Sequence, residues 1–221
     1  MMMEKNVVLL ASGSIQRKAI LEELGIKYES VAMDVDEVTL ASPSDTVREN
    51  ARLKLLAALP HALDGQAVIA ADTVIWTNGQ VLGKPGTPEQ AKVFLRMLSG
   101  NTIEAYSGLA VALKGTGKVY LCVEKAVISI KPLGESDINW YISTHEPIIR
   151  AGAIGISHYG EVFVARIDGS YSCIAGLPKC ALMAILSSSR ALAEAVLPVQ
   201  APPGTIGSEI HIDEFAIKQE N

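Results

Sequence analysis

The stretch Val68 to Thr77, VIAADTVIWT, is an apolar strand pattern broken by one carboxylate, Asp72, and it stops at Asn78-Gly79. Asn-Gly readily takes the positive φ angles of a type I′ turn, so Val68 to Thr77 and Gln80 to Leu82 are expected to pair as a hairpin. In a two-residue hairpin Thr77 faces Gln80, which sets Lys84 opposite Thr73 and one step from Asp72. Strict alternation points the two charged side chains to opposite faces, so a direct salt bridge between them needs a bulge. A carboxylate inside such a run must be paired, metal-bound or at a strand end. A buried ion pair is one reading; separate roles for Asp72 and Lys84 around a single ligand is the other.

Around this hairpin the chain reads as alternating strands and helices. Val7 to Ala11 is a continuous apolar run, as in a buried strand, and leads through Ser12-Gly13-Ser14 into a helix with Ile20, Leu21 and Leu24 on one face and Gly25 at its end. A second helix is expected from Ser44 to about Leu59, stopped by Pro60, and a third begins at Thr87-Pro88-Glu89-Gln90 with the signature of a capping box. Glu104 to Leu113 and Lys118 to Leu133 read as two long strands. A short helix at Ser136 to Ser143, a strand at Glu161 to Ile167 and one helix from Pro178 to about Leu197 follow. Residues 1–197 are read as a single domain of two lobes, and 198–221 as a loosely attached tail.

Several residue groups could carry chemistry, each with a plainer alternative. The Ser12-Gly13-Ser14 loop opens a helix, where unpaired N–H groups and the helix dipole favour an anion, and Arg17 sits in the first turn; an ordinary capped helix with a surface Arg is the alternative. Asp34-Val35-Asp36-Glu37 could cage a hard divalent cation or be a solvated acidic turn. Lys54 shares a helix face with the apolar Val47 and Ala51, as a snorkelling lysine or as a ligand group. Together Lys54, Lys84 and Arg17 suffice to hold a polyphosphate, and Glu37 with Asp72 suffices to hold its metal. His61, His145, His158 and His211 show no metal-binding spacing, and no serine sits in a GxSxG elbow.

Bulk properties narrow the setting. Nineteen Lys and Arg against 24 Asp and Glu give a net charge of −5, which argues against a nucleic-acid partner or an anionic membrane surface and leaves any phosphate site local. The apolar run near the start is too short for a membrane span or a signal peptide. Three cysteines, Cys122, Cys173 and Cys180, fit small core residues in a reducing cytoplasm.

In order along the chain, LLASGSIQRKAILEELGI, DVDE, ENARLKL, AADTVIWTNGQVLGKPGTPEQAKVFLRMLSG, AYSGLAV, EPIIRAGAIGI and GLPKCAL resemble the blocks of the Maf (septum formation protein) family of nucleoside triphosphate pyrophosphatases. The resemblance covers Val7 to about Leu186, and the ADT, GKP and LSG series at these separations is its most specific part. It implies a cytoplasmic α/β enzyme, built like the inosine triphosphatase type of enzyme on an elongated mixed sheet flanked by helices, with a cleft between two lobes. Such an enzyme hydrolyses a nucleoside triphosphate to the monophosphate and pyrophosphate with Mg or Mn, and the family suggests a homodimer. Carried onto this chain, the resemblance makes Asp72 the proton acceptor and, with Glu37, a metal ligand. Ser12, Ser14, Arg17, Lys54 and Lys84 become phosphate-binding residues, and Gln16, Thr73 and Ser157 specificity positions.

Departures from the family pattern mark where specificity or turnover could differ. Ile15 and Gln16 stand where Pro and Arg are usual, Ile149 replaces an Asp, Ile154 a Tyr and Ser157 a Gln. Thr73 matches the members that prefer dTTP and UTP, so pyrimidine triphosphates or modified nucleotides are the favoured substrates. A nucleotide-binding regulator of septation that has lost turnover is the alternative function, and a purine-preferring enzyme of the inosine triphosphatase type a further one.

Overall fold

In a computed structural model of the chain, residues 6–156, 158–198 and 210–217 are described, without the side chain of His158. The elements in chain order are β1 (Val7–Leu10), α1 (Ile15–Glu23), β2 (Lys27–Ser30), α2 (Pro43–Ala58), β3 (Ala67–Thr77), β4 (Gln80–Leu82), α3 (Pro88–Leu98), β5 (Thr102–Leu113) and β6 (Lys118–Ile130). They continue with α4 (Glu135–Ser143), β7 (Val164–Asp168), α5 (Tyr171–Ala175), α6 (Lys179–Ser188), α7 (Arg190–Val196) and β8 (Asp213–Ala216). Short 3-10 turns link α4 to β7.

Three long antiparallel strands, β3, β5 and β6, form the spine of one open mixed sheet, and each end of the spine carries its own short strands. The first half of β3 pairs in parallel with β1, which pairs in parallel with β2; the second half pairs with β4. On the far edge, β6 pairs with β8 at its start and with β7 at its end. At the β1 end two cores lie on opposite faces, one under α1, α6 and α7 and one under α2. At the β4 end a third core gathers α3, α4 and the turns after α4. Asp72 and Thr73 fall between these cores, at the middle of β3 and on its opposite faces.

The hairpin forms in the expected register, Thr77 against Gln80 and Ile75 against Leu82. Thr87 caps α3 by accepting the Gln90 N–H, whereas Gln90 Oε1 reaches back to the Gly86 N–H, one residue short of a reciprocal box. The second helix starts slightly earlier than expected, with Ser42 as its cap and Pro43 in its first turn. The single helix expected over 178–197 is two: the backbone leaves helical geometry at Ser189 (φ −137°), whose side chain then caps α7 through the Leu192 N–H. The expected strand from Glu161 begins only at Val164, because 158–163 form a 3-10 turn. Within the segment expected as a tail, 199–209 and 218–221 lie outside the described residues, while residues 213–216 pair with β6, and Arg48 and Lys118 hold Asp213 and Glu214 at 2.6 and 2.7 Å. Cys122 and Cys173 are buried as expected, and Cys180 is exposed.

Helix α2 can lie close on β5 because Gly108, directly opposite Asp72, has no side chain. A Cβ there would overlap the carbonyl of Val47 in α2. Gly108→Ala should therefore cost about 3 kcal/mol, at the upper end for overpacking a core, read as a lower urea midpoint with unchanged m-value; a cost near zero would show that α2 yields easily. In β6, Glu124 accepts the Ala181 N–H of α6 at 2.8 Å, and burial raises its pKa despite that bond. A raised folded-state pKa means stability present at acid pH and lost as the pH climbs through that value. Glu124→Gln keeps the acceptor without the charge, so it should raise the melting temperature at pH 8 and not at pH 4. An equal change at both would overturn this reading.

Candidate active site

Asp72 is buried at 6% exposure in the middle of an extended strand, and both of its oxygens are engaged. The Lys54 Nζ donates to Oδ1 at 2.6 Å, and the Asn50 Nδ2 donates to Oδ2 at 3.1 Å. Asn50 and Lys54 lie four residues apart on α2, one turn of the same face, so a single helix delivers both donors. Lys54 is 9% exposed and also holds Glu37 at 2.7 Å, so one ammonium joins carboxylates from two distant segments. Asn50 makes that convergence possible: its Oδ1 accepts the Val38 N–H at 2.8 Å and its Nδ2 reaches the Val38 carbonyl at 3.1 Å, fastening the irregular segment that carries Glu37 onto α2. Asp34 and Asp36 stay exposed, so the acidic DVDE turn sends only Glu37 to Lys54.

Asp72 and Lys84 make no salt bridge; the cation that answers Asp72 is Lys54, from outside the hairpin. Lys84 is exposed beyond the end of β4 and has no ion pair or hydrogen bond among the described residues. It lines a cavity of about 660 Å³ together with Ser12, Ser14, Arg17, Glu37 and Lys54. Gln16 and Thr73 also face this cavity, while Asp72 stands behind its wall, covered by Lys54. Ser157 lies outside the described residues.

The loop after β1 shapes the cavity's polar side. Ser12 accepts hydrogen bonds from the Ser14 N–H at 3.2 Å and from Arg17 Nη1 at 3.0 Å, and Ser14 Oγ donates to Gln16 Oε1 at 3.2 Å. Ser14 thus starts α1 without capping it with its own hydroxyl. Arg17 is further held by the Gly176 carbonyl at 2.8 Å and by Thr73 Oγ1 at 3.4 Å. Burial pushes its guanidinium below its ordinary pKa and the charges of Asp72 and Glu37 oppose that, so it stays charged, as arginine does in proteins.

The facing wall is mostly apolar, with Ile149, Ala151, Ile154, Ile156 and Ile174 around Arg150. Arg150 is held by the buried Glu146 at 3.3 Å, and the Gly152 N–H bonded to the Gly83 carbonyl ties this turn to the loop bearing Lys84. Asn50 and Arg150 were not singled out from sequence. Asn50 carried a usable signal, a polar residue one turn before Lys54 on an apolar helix face; Arg150 carried none.

The arrangement can bind an anion with several phosphate-like groups: Arg17, Lys54, Lys84 and Arg150 are four cations on one cavity, beside a carboxylate pair. Among the described residues no three His, Cys, Asp or Glu side chains gather to cage a metal by themselves. No helix among those residues is long and apolar enough to cross a membrane.

Known proteins resemble this chain closely. Two relatives named dTTP/UTP pyrophosphatase are similar over 173 residues: one from Bacillus cereus (strain ATCC 10987 / NRS 248), 38% identical over 77% of this chain and 84% of that protein, and one from Bacillus mycoides (strain KBAB4), 37% identical over 77% and 89%. The solved Ham1 protein of Staphylococcus aureus aligns with a TM-score of 0.42 and 16% identity over 56% of this chain and 71% of that one, too slight a likeness to carry an inference. The family model described as Maf-like protein matches residues 7–189. With the family matched across most of its length and close relatives over three quarters of it, the chain belongs to the Maf-like proteins.

Proposed function

We propose that the protein is a nucleoside triphosphate pyrophosphatase, with 1–197 as one two-lobed catalytic domain working on free cytoplasmic nucleotides. The observation that carries this reading is Lys54 Nζ held between Asp72 and Glu37 at the edge of a cavity lined by Arg17 and Lys84. The relatives' names support the reaction, and dTTP and UTP are the favoured substrates.

Two carboxylates already share one cation here, which fits Glu37 and Asp72 as the residues that would hold a Mg²⁺ or Mn²⁺ ion. Such an ion supplies charge neutralisation on the triphosphate. A phosphate entering beside Lys54 competes for its ammonium and releases Asp72 Oδ1. Asp72 then takes a proton from the water that attacks the α-phosphorus, the bond to the bridging oxygen breaks, and pyrophosphate leaves. Arg17, Lys54 and Lys84 stabilise the charge that builds on the phosphates, with Ser12 and Ser14 shaping the loop that receives them. A nucleotide-binding regulator of septation without turnover is the rival reading, favoured by the engagement of both Asp72 oxygens.

Pyrophosphate release across a panel of nucleoside triphosphates with Mg²⁺ or Mn²⁺ separates the two. Turnover of UTP or dTTP is expected, and tight binding without turnover of any member would sink the enzyme reading. Asp72→Asn should lower kcat by about 10³-fold, within the range for a lost general base, with the fold retained because Lys54 keeps Glu37; near-normal activity would remove Asp72 from this role. Lys84→Ala should weaken UTP about tenfold in Kd, the equivalent of about 1.4 kcal/mol, and leave UMP nearly unchanged. Equal weakening of both would contradict a role for Lys84 at the outer phosphates.

A further inference from the structure

Thr73 faces the cavity, and behind it a chain of hydrogen bonds runs into the core. Ser107, opposite Thr73 on β5 and fully buried, lies 2.7 Å from Thr73 Oγ1 and 2.7 Å from the carbonyl of Cys173. A carbonyl only accepts, so the single Ser107 proton goes to Cys173. The contact between the two hydroxyls then requires the Thr73 proton to go to Ser107. Arg17 Nη2, a donor only, takes one Thr73 lone pair at 3.4 Å. The polarity of the whole chain is forced: Arg17 to Thr73, Thr73 to Ser107, Ser107 to Cys173. One lone pair of Thr73 is left for a ligand, and no proton.

We infer that Ser107 is a positioning residue for specificity: it fixes Thr73 as a hydrogen-bond acceptor, so the cavity favours a nucleotide that brings a donor to that point. Uracil and thymine carry a ring N–H at N3, whereas cytosine has a bare ring nitrogen there, which would meet the Thr73 lone pair. A site whose polar group is matched by one ligand and left opposed by another discriminates strongly between them. With Ser107 removed, the Thr73 hydroxyl is free to rotate and donate, and the discrimination falls.

This inference rests on the nucleotide reading but not on turnover, so binding tests it. The α,β-methylene analogues of UTP and CTP, which cannot be cleaved at the α-phosphorus, are titrated into the full chain with Mg²⁺ by calorimetry. The UTP analogue is expected to bind at least tenfold tighter, and Ser107→Ala to reduce that ratio at least fivefold. Thr73→Ser, which keeps the hydroxyl, should retain the preference and shows that the region tolerates substitution. In a Thr73→Val background Ser107→Ala should leave the ratio unchanged, because its effect passes through Thr73. Equal binding of the two analogues by the unaltered chain, an unchanged ratio in Ser107→Ala, or the same change with and without Thr73 would each overturn the inference. Absence of pyrophosphate release in the turnover panel would overturn the enzyme reading alone.

Discussion

One buried ammonium organises the centre of this molecule. Asp72 is itself buried and follows the fully buried Ala70 and Ala71, and a lone carboxylate there would cost several kcal/mol. Lys54 meets that need, and meeting it constrains what surrounds it. Helix α2 must cross β3 and β5 with Lys54 above Asp72, which brings Val47 onto Gly108 and leaves no space for a side chain there. The same ammonium draws in Glu37 from the irregular segment before α2, and Asn50 fastens that segment in place. Burial of the pair is weak support for stability, since a hydrophobic pair of similar volume would serve the fold as well. Its place beside a cavity lined by cations is better explained by chemistry.

The sheet supplies the frame for that chemistry. Because β3, β5 and β6 run continuously through both ends of the molecule, the two ends share a backbone while keeping separate cores. The middle of the spine lies between the three cores, and there the side chains alternate between a charged face, with Asp72 against α2, and a hydroxyl face, with Thr73 and Ser107 against α5. The cavity draws on both: a polar wall from the β1 end, and an apolar wall with Lys84 and Arg150 from the β4 end.

Much of this was legible in the sequence where the signal is local. The Asn78-Gly79 turn, the Thr87 cap and the apolar periodicity of α2 are short-range features whose physics does not depend on the rest of the chain. The sequence candidates Ser12, Arg17, Glu37, Lys54 and Lys84 do line one cavity, although a capped helix, an acidic turn and a snorkelling lysine would have accounted for most of them one at a time. What was not legible depends on partners far along the chain. The break at Ser189 follows from packing two helices around one core, against a sequence rich in good helix formers. Lys54 rather than Lys84 as the partner of Asp72 is a fact of how α2 crosses the sheet, invisible to hairpin register. Ser107 is an unremarkable serine until Cys173 and Thr73 are brought to either side of it.

The pairing of Asp213–Ala216 with the first half of β6 has an effect beyond tethering the end of the chain. Strand β6 is long and borders the sheet, and an uncovered border of alternating Lys118, Val119, Tyr120 and Leu121 would offer a ready template for another molecule to add strands. Strand β8 fills that row of main-chain groups and carries two acidic side chains, the half-buried Asp213 and the exposed Glu214. The segment so guards against edge-to-edge aggregation, and a chain shortened before Asp213 would lose colloidal protection before it lost any part of the cavity.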